Sequence, residues 1–237
     1  MRRLPVYLVL DTSSSMYGEP ILAVQNGLDM LVSTLRQDPY ALETAFLSVI
    51  TFDTDARQVS PLTELTDFQA PLIEAKGTTS LGEGLTLAAA CIQREVKKTS
   101  ADQKGDWKPL VFLMTDGAPT DSWKEGADAL RMVKPGLIVC CAAGRDAKVD
   151  ILEQISEAVV LLDVADSNTI AAFFKWVSAS ITTSSRRIDL GKEEVGGIKD
   201  LPPMPAGVNL KNLEMLHEKT ACLYPSRYFR IDERRAH

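Results

Sequence analysis

The stretch that decides the fold is VYLVLDTSSSM, residues 6–16, in which five apolar residues run directly into a polar turn. A continuous apolar run of this length, ended by a turn, is typical of a buried parallel strand. Asp11, Ser13 and Ser15 then place oxygen-bearing side chains at alternate positions of the turn. Open α/β sheets bind ligands at the carboxyl ends of their strands, and hard divalent cations prefer oxygen ligands. We therefore predict a cation site at this strand end.

Two later segments extend the pattern. A second apolar run, LVFLM at residues 110–114, ends in Thr115-Asp116-Gly117, and a hydroxyl-rich loop at residues 76–84 opens a helix. Each piece has a structural alternative when taken singly. The serines of the first turn can cap a helix, Asp-Gly is a common turn dipeptide, and Ser80 with Glu83 has the spacing of a capping box. The order of the three pieces, each at a strand end or a helix start, favours a shared site.

This ordered set resembles the von Willebrand factor A family and its metal-ion-dependent adhesion site (MIDAS), over about residues 4–183. The resemblance implies that a partner protein supplies an Asp or Glu to the bound metal. Mg²⁺ fits the oxygen ligands best, with Mn²⁺ or Ca²⁺ as alternatives. Thr78 stands where a second Gly is common, so Thr78 and Thr79 are both candidates, and we prefer Thr79 because Ser-Leu-Gly follows it. The implied metal ligands are Asp11, Ser13, Ser15, Thr79 and Asp116.

Strands and helices alternate along the chain. Helical spacing of apolar residues predicts a helix after the first strand and further helices up to one carrying Ile170 and Ile181. The alternation predicts an α/β fold, a doubly wound, mostly parallel six-stranded sheet with helices on both faces. Asp53 and Asp55 form a turn that makes the third strand an antiparallel edge strand. These two aspartates either tune the electrostatics at the rim of the site or serve only as turn residues. The predicted strands cover residues 6–10, 46–52, 57–62, 110–114, 137–142 and 159–162.

The chain of 237 residues is long enough for one sizeable domain and an appendage. We predict a von Willebrand factor A domain over residues 1–184 and a polar tail over residues 185–237. The tail is either disordered or a docking arm that folds on a partner or across the domain, and the sequence LPPMP at residues 201–205 favours an extended path. A further hypothesis is that a tail carboxylate occupies the metal, the candidates being Glu214, Glu218, Asp232 and Glu233.

Composition excludes several classes of protein. A net charge of -6, without a run of four basic residues, argues against binding nucleic acid. The N-terminal apolar run is too short for a secretory signal, and no apolar stretch is long enough to span a membrane. The four cysteines show no Cys-x-x-Cys spacing and read as reduced thiols, which predicts a cytoplasmic protein.

We expect the chain not to be an enzyme. Its two histidines, His217 and His237, both lie in the tail, so neither is placed to act as a base at the sheet edge. The main enzymatic alternative is a metal-dependent phosphatase or hydrolase of the haloacid-dehalogenase type, which needs a second Asp where this chain has Ser13. The other alternative is a structural subunit whose metal site is vestigial.

Three further stretches resemble TerY-type proteins of bacterial tellurium-resistance and stress-response clusters. They are RRLPV at residues 2–6, GEPI at 18–21 and LRQDPYALE at 35–43. This resemblance implies a cytoplasmic adaptor whose partners are other Ter proteins or a protein kinase and phosphatase encoded nearby.

Overall fold

The computed structural model describes residues 2–156, 158–189, 200–205 and 209–212. Seven of the described segments are strands of one sheet, in the order β3-β2-β1-β4-β5-β6-β7. The strands are β1 Leu4–Asp11, β2 Ala45–Phe52, β3 Ala56–Glu64, β4 Leu110–Thr115, β5 Leu137–Ala143, β6 Ala158–Leu162 and β7 Asn209–Asn212. The α-helices are α1 Glu19–Arg36, α2 Pro39–Thr44, α3 Leu81–Glu95, α4 Trp123–Met132, α5 Val149–Ile155 and α6 Ser167–Asp189, and a 3-10 turn spans Ser14–Met16.

The predicted α/β fold with a mostly parallel sheet is confirmed. Strands β2, β1, β4, β5 and β6 run parallel, and β3 pairs antiparallel with β2 at one edge. The sheet has seven strands rather than the predicted six, because β7 pairs antiparallel with β6 at the other edge. Strand β7 covers an edge of β6 that would otherwise expose unpaired backbone groups.

The central strands are apolar on both sides because helices cover both faces of the sheet. In β1 all eight residues are buried. Leu8 and Leu10 face the core shared with α1 and α6, whereas Tyr7 and Val9 face the core shared with α3, α4 and α5. This two-sided burial explains why β1 reads as a continuous apolar run and not as an alternating one.

Part of the predicted tail packs on the domain. The predicted boundary at residue 184 falls inside α6, which continues to Asp189. The Trp176 Nε1 group donates to the Pro202 carbonyl at 3.0 Å, and Arg187 pairs with Asp200. Leu201 and Met204 pack against the core on the α6 side. The four tail carboxylates proposed above as self-ligands lie outside the described residues.

Two structural observations concern membrane spans and cysteines. Within the part of the chain that the structure describes, no helix combines the length and apolar character needed to cross a membrane. Cys91, Cys140 and Cys141 are buried free thiols, while Cys222 lies outside the described residues.

Candidate metal centre

Three loops meet at the carboxyl end of the parallel strands, next to β1. They follow β1, precede α3 and follow β4. Backbone hydrogen bonds join them: the Lys76 amide donates to the Thr12 carbonyl at 2.8 Å, and the Ser14 amide to the Gly77 carbonyl at 3.1 Å. The Thr120 amide donates to the Thr79 carbonyl at 2.9 Å. The sheet order places this meeting point beside β1 and β4, where the chain reverses its direction of winding.

Asp11 lies at the bottom of the site with only 1% of its surface exposed. Its Oδ1 accepts a 2.8 Å hydrogen bond from the Ser13 amide, and its Oδ2 accepts one of 2.5 Å from the Thr115 hydroxyl. Thr115 was not among the predicted site residues. Its position directly before Asp116 is the sequence signal for it. The β1–β4 register pairs Leu10 with Met114, so the next residues, Asp11 and Thr115, lie side by side.

Ser13 and Ser15, in the first turn, link Asp11 to Asp116 by hydrogen bonds. Their hydroxyl oxygens lie 2.9 Å apart, and the Ser15 hydroxyl donates to Asp116 Oδ1 at 2.7 Å. Asp116 comes from the end of β4, 101 positions away in the chain. Because the Ser13 amide donates to Asp11, hydrogen bonds of these two serines connect the two carboxylates.

Thr79 and not Thr78 points into this cluster. Thr79 is buried and Thr78 is exposed, with the Thr78 amide donating to the Thr54 hydroxyl at 3.3 Å. A Cβ atom built on Gly117 would lie 3.3 Å from Thr79 Oγ1 and 3.8 Å from Ser15 Oγ. The structure thus brings together all five predicted residues, and it also places Thr115 against them.

Gly77 gives the second loop its shape. Its φ of +70° lies in the left-handed region, and a Cβ atom there would stand 2.3 Å from Thr54 Oγ1. Glycine satisfies both requirements, since it has no Cβ and adopts positive φ readily. The turn at Gly77 is what directs Thr79 towards the two aspartates.

Within the described residues, the two carboxylates lack a compensating positive charge. Burial raises the pKa of Asp11 to about 6, although the hydrogen bonds from Ser13 and Thr115 lower it, and the charge of Asp116 raises it further. Burial also raises the pKa of Asp116, and the exposed Asp146, which sequence reasoning missed, adds to that rise. No Lys or Arg among the described residues forms an ion pair with either carboxylate.

The donor set is compatible with a divalent cation of the Mg²⁺ type. It consists of two carboxylates and three hydroxyls, all oxygen ligands. Within the described residues, no group of three or more His, Cys, Asp or Glu side chains is arranged to hold a metal, either at this site or away from it. A metal at this position would therefore depend on the hydroxyl groups of Ser13, Ser15 and Thr79.

The two aspartates of the turn between β2 and β3 have a structural partner in Arg57. Asp53 is buried and pairs with Arg57 at 3.2 Å, and Asp55 pairs with the same guanidinium at 3.0 Å. These contacts favour the structural reading of the Asp53–Asp55 turn.

The helix that follows the Thr79 loop is capped by a distant residue. The predicted capping box is absent, because Ser80 makes no capping hydrogen bond and its hydroxyl donates to the Thr54 carbonyl. The carboxylate of Asp121 accepts from the amides of Gly82 and Glu83, each at 2.9 Å, and caps α3 instead.

A curated protein is similar to part of this chain. Among curated proteins, sll0103 of Synechocystis is 32% identical over 144 residues, which is 58% of this chain and 30% of that protein. This chain therefore spans less than a third of that relative's length.

Solved structures share the fold at low sequence identity. The von Willebrand factor type A protein from Catenulispora acidiphila has a TM-score of 0.60 and 21% identity, covering 77% of this chain and 43% of its own. Proximal thread matrix protein 1 from the mussel byssus, in a form with a zinc-occupied MIDAS motif, has a TM-score of 0.54 and 19% identity, covering 75% and 48%. The SpaC pilus adhesin from Lactobacillus rhamnosus GG has a TM-score of 0.62 and 15% identity, covering 77% and 31%.

The match to a sequence family extends over most of the chain and includes every residue of the candidate metal centre. It covers residues 6–176, from the first strand into the last helix. The chain belongs to the von Willebrand factor type A domain family.

Proposed function

We propose that this chain is a metal-dependent protein-binding module. A divalent cation is held by Asp11, Ser13, Ser15, Thr79 and Asp116, and an Asp or Glu of a partner protein completes its coordination. Domains of this family mediate protein–protein interactions, which supports the class of function.

One observation carries the proposal. Asp11 and Asp116, connected through the hydrogen bonds of Ser13 and Ser15, lie at the carboxyl edge of the sheet, and no basic side chain among the described residues pairs with them. Carboxylates out of water are unfavourable unless a positive charge compensates them. A divalent cation supplies that charge, and the three hydroxyls complete most of its coordination.

Magnesium fits the proposed centre best. It prefers octahedral oxygen coordination and keeps water molecules, so five side chains leave about one of six positions for water or for a partner's carboxylate. Only two ligands are anionic, so a third carboxylate is not repelled by an over-neutralised ion. The zinc-occupied MIDAS of the mussel protein supports a divalent cation in this fold, while the all-oxygen ligands favour Mg²⁺, with Mn²⁺ or Ca²⁺ as alternatives.

For the biological setting, we propose a cytoplasmic bacterial tellurium-resistance or stress-response complex. The support is the TerY-like sequence of residues 2–6, 18–21 and 35–43. The candidate partners are other Ter proteins or a kinase and phosphatase pair. The division into a domain over residues 1–184 and a tail over residues 185–237 stays a prediction.

A pull-down from a bacterial lysate tests the proposal. The purified 237-residue chain is used as bait in Mg²⁺ and in EDTA, beside an Asp11→Ala variant. We expect at least one partner band that EDTA and Asp11→Ala both remove. The matched control is Asp55→Ala, which removes an exposed carboxylate paired with Arg57 and leaves the metal ligands intact.

The same experiment separates the alternatives. Bands that persist in EDTA and in Asp11→Ala would contradict metal bridging and favour a structural subunit with a vestigial site. Phosphate release from p-nitrophenyl phosphate in Mg²⁺, lost in Asp11→Ala, would instead reveal a hydrolase. A hydrolase of the haloacid-dehalogenase type needs a second Asp at the position of Ser13. The Ser13 hydroxyl is instead hydrogen-bonded to the Ser15 hydroxyl, which disfavours that activity.

A further inference from the structure

A cavity of about 400 Å³ lies at the edge of the sheet opposite the candidate metal centre. The end of α3, the loop between α3 and β4, and the end of α4 with the turn after it line this cavity. Its lining residues Lys108 and Lys134 precede the parallel strands β4 and β5, whereas the proposed metal ligands Asp11 and Asp116 lie at carboxyl ends of strands. The volume falls in the range of sites that bind small molecules.

The lining of the cavity carries an excess of positive charge. Lys98, Lys108 and Lys134 all contribute to it, although the chain as a whole has a net charge of -6. Lys98 and Lys134 are exposed, and neither forms an ion pair with any described residue. A cleft lined by charges of one sign attracts ligands of the opposite sign, so this cavity favours an anion.

The one carboxylate in the lining does not offset the lysines. Asp106 accepts from the guanidinium of Arg3 at 2.9 and 2.6 Å, and from the Lys97 amide at 2.7 Å. Arg3 also donates to the Glu95 carbonyl at 2.8 Å and so holds the loop before β4 against the end of α3. The charge of Asp106 is therefore compensated by a partner of its own, and this ion pair fixes the wall of the cavity.

Lys134 reaches the cavity from an unfavourable backbone conformation. Its φ of 53° lies in the left-handed region, and glycine is the usual residue in that conformation just after a helix. The Lys134 amide donates to the Arg131 carbonyl at 3.0 Å, and the Gly136 amide to the Pro109 carbonyl at 2.9 Å. The turn after α4 is thus fixed beside the start of β4. Lysine at this position costs stability and adds a positive charge to the cavity, which favours a role in binding.

Much of the remaining lining is apolar. Val96, Val133 and Met132 contribute to it, and Met132 is 77% exposed. A methionine side chain adapts to irregular ligands and makes favourable contacts with aromatic rings. Trp107 also lines the cavity, and its buried Nε1 group has no hydrogen-bond acceptor among the described residues. Few buried donors stay unpaired in folded proteins, so this group favours a ligand oxygen at this wall.

We propose that this cavity binds a small phosphate monoester whose phosphate is attached to an apolar ring. Such a phosphate carries about two negative charges at neutral pH, which suits a lysine cluster better than a single carboxylate does. The ring packs against Val96, Met132 and Val133. The site uses none of the proposed metal ligands, so this inference is independent of the metal-dependent function.

Calorimetric titration of the 237-residue chain with naphthyl phosphate tests the inference. The titration is run in EDTA, so that the phosphate cannot bind to a divalent ion at the metal centre. We expect a dissociation constant in the micromolar range. Inorganic phosphate, naphthol and naphthoate each lack one part of the proposed ligand and should bind at least about tenfold more weakly.

Two double variants locate the binding. Lys98→Gln with Lys134→Gln should weaken naphthyl phosphate by about tenfold to a hundredfold, because it removes two charge-assisted contacts. Both lysines are exposed, so this variant should keep the unfolding temperature of the wild type. Lys124→Gln with Lys175→Gln changes the net charge equally at exposed positions of α4 and α6 outside the cavity, and should leave the affinity unchanged.

Each other result would overturn the proposal or a stated part of it. An absence of binding, or equal affinity in the wild type and the Lys98/Lys134 variant, would exclude this cavity as the site. Inorganic phosphate that binds as tightly as naphthyl phosphate would contradict the apolar part of the ligand. Naphthoate that binds as tightly would contradict the phosphate.

Discussion

At the scale of single residues, the buried carboxylate of Asp11 lowers the stability of the metal-free fold. Its carboxylate is buried between β1 and β4, and its two hydrogen bonds come from neutral groups, Ser13 and Thr115. Burial raises its pKa above that of an ordinary aspartate in spite of these bonds. Ionised Asp11 therefore destabilises the metal-free fold at neutral pH and favours uptake of a cation.

Replacing Asp11 by Asn should stabilise the metal-free protein. The pKa of Asp11 is about 6 in the fold, against about 3.9 for an unperturbed aspartate, so folding favours the protonated form. The stability that this group contributes is fully present at low pH and is lost as the pH rises from about 4 to 6. In EDTA, Asp11→Asn should exceed the wild type by roughly 2–3 kcal/mol at pH 7 and match it near pH 4. Urea unfolding of both proteins across this pH range measures the difference, and a difference that does not vary with pH would contradict the argument.

A second residue-scale prediction compares two glycines with positive φ. Gly77→Ala and Gly18→Ala both force alanine into an unfavourable conformation, at a cost of about 1–3 kcal/mol. The added methyl group has no neighbour within 4 Å at Gly18, but at Gly77 it meets Thr54. Gly77→Ala should therefore lose more stability and also weaken Mg²⁺ binding, because it displaces the loop that carries Thr79. Urea unfolding and Mg²⁺ titration test both variants, and equal Mg²⁺ affinity would show that the loop tolerates the methyl group.

At the scale of elements, α3 depends on a cap that comes from another part of the chain. Asp121 accepts from the first amides of α3, and the neighbouring Thr120 amide binds the Thr79 carbonyl. The loop after β4 therefore supports both the helix and the Thr79 loop in front of it. This arrangement couples the stability of α3 to the position of a proposed metal ligand.

Removing that cap should destabilise the protein. Asp121→Ala leaves the amides of Gly82 and Glu83 without their acceptor and should lower the free energy of unfolding by about 1 kcal/mol. Glu125→Ala, an exposed residue on the first turn of α4, changes the net charge equally and should stay within about 0.5 kcal/mol of the wild type. Urea unfolding compares the three proteins. Equal values for the two variants would mean that solvent replaces the Asp121 cap.

These elements also show what sequence alone can predict. The six strands from β1 to β6 were predicted because burial makes them continuous apolar or alternating runs. Strand β7, with the sequence NLKN, has no such pattern and forms where the open edge of β6 accepts it. The cap of α3 was assigned to Ser80 from local spacing, but a residue about 40 positions away provides it. Local signals therefore predicted the six strands, and the family resemblance predicted the five site residues, whereas contacts decided by tertiary packing, such as Thr115 on Asp11, were missed.

At the scale of the whole molecule, the candidate metal centre connects parts of the chain that are far apart in sequence. Asp11 ends β1, and Thr79 and Asp116 lie on loops 68 and 105 positions further along the chain. A bound ion would hold all three loops in one arrangement. Metal binding should therefore appear as stabilisation of the entire domain and not only as a local change.

Mg²⁺ should raise the unfolding temperature of the 237-residue chain, and EDTA should reverse the effect. An ion that binds only the folded state stabilises it by about 2.7 kcal/mol at a concentration 100 times its dissociation constant. The effect should shrink as the pH falls through about 6, because protons compete with the metal for Asp11, whose pKa lies there. Thermal unfolding with and without Mg²⁺ at pH 5 and pH 7.5 tests this, with Asp116→Ala as the variant that should not respond. Removal of the half-buried Asp116 carboxylate should weaken Mg²⁺ binding at the proposed centre. If Mg²⁺ stabilises the wild type and Asp116→Ala equally, the ion binds elsewhere.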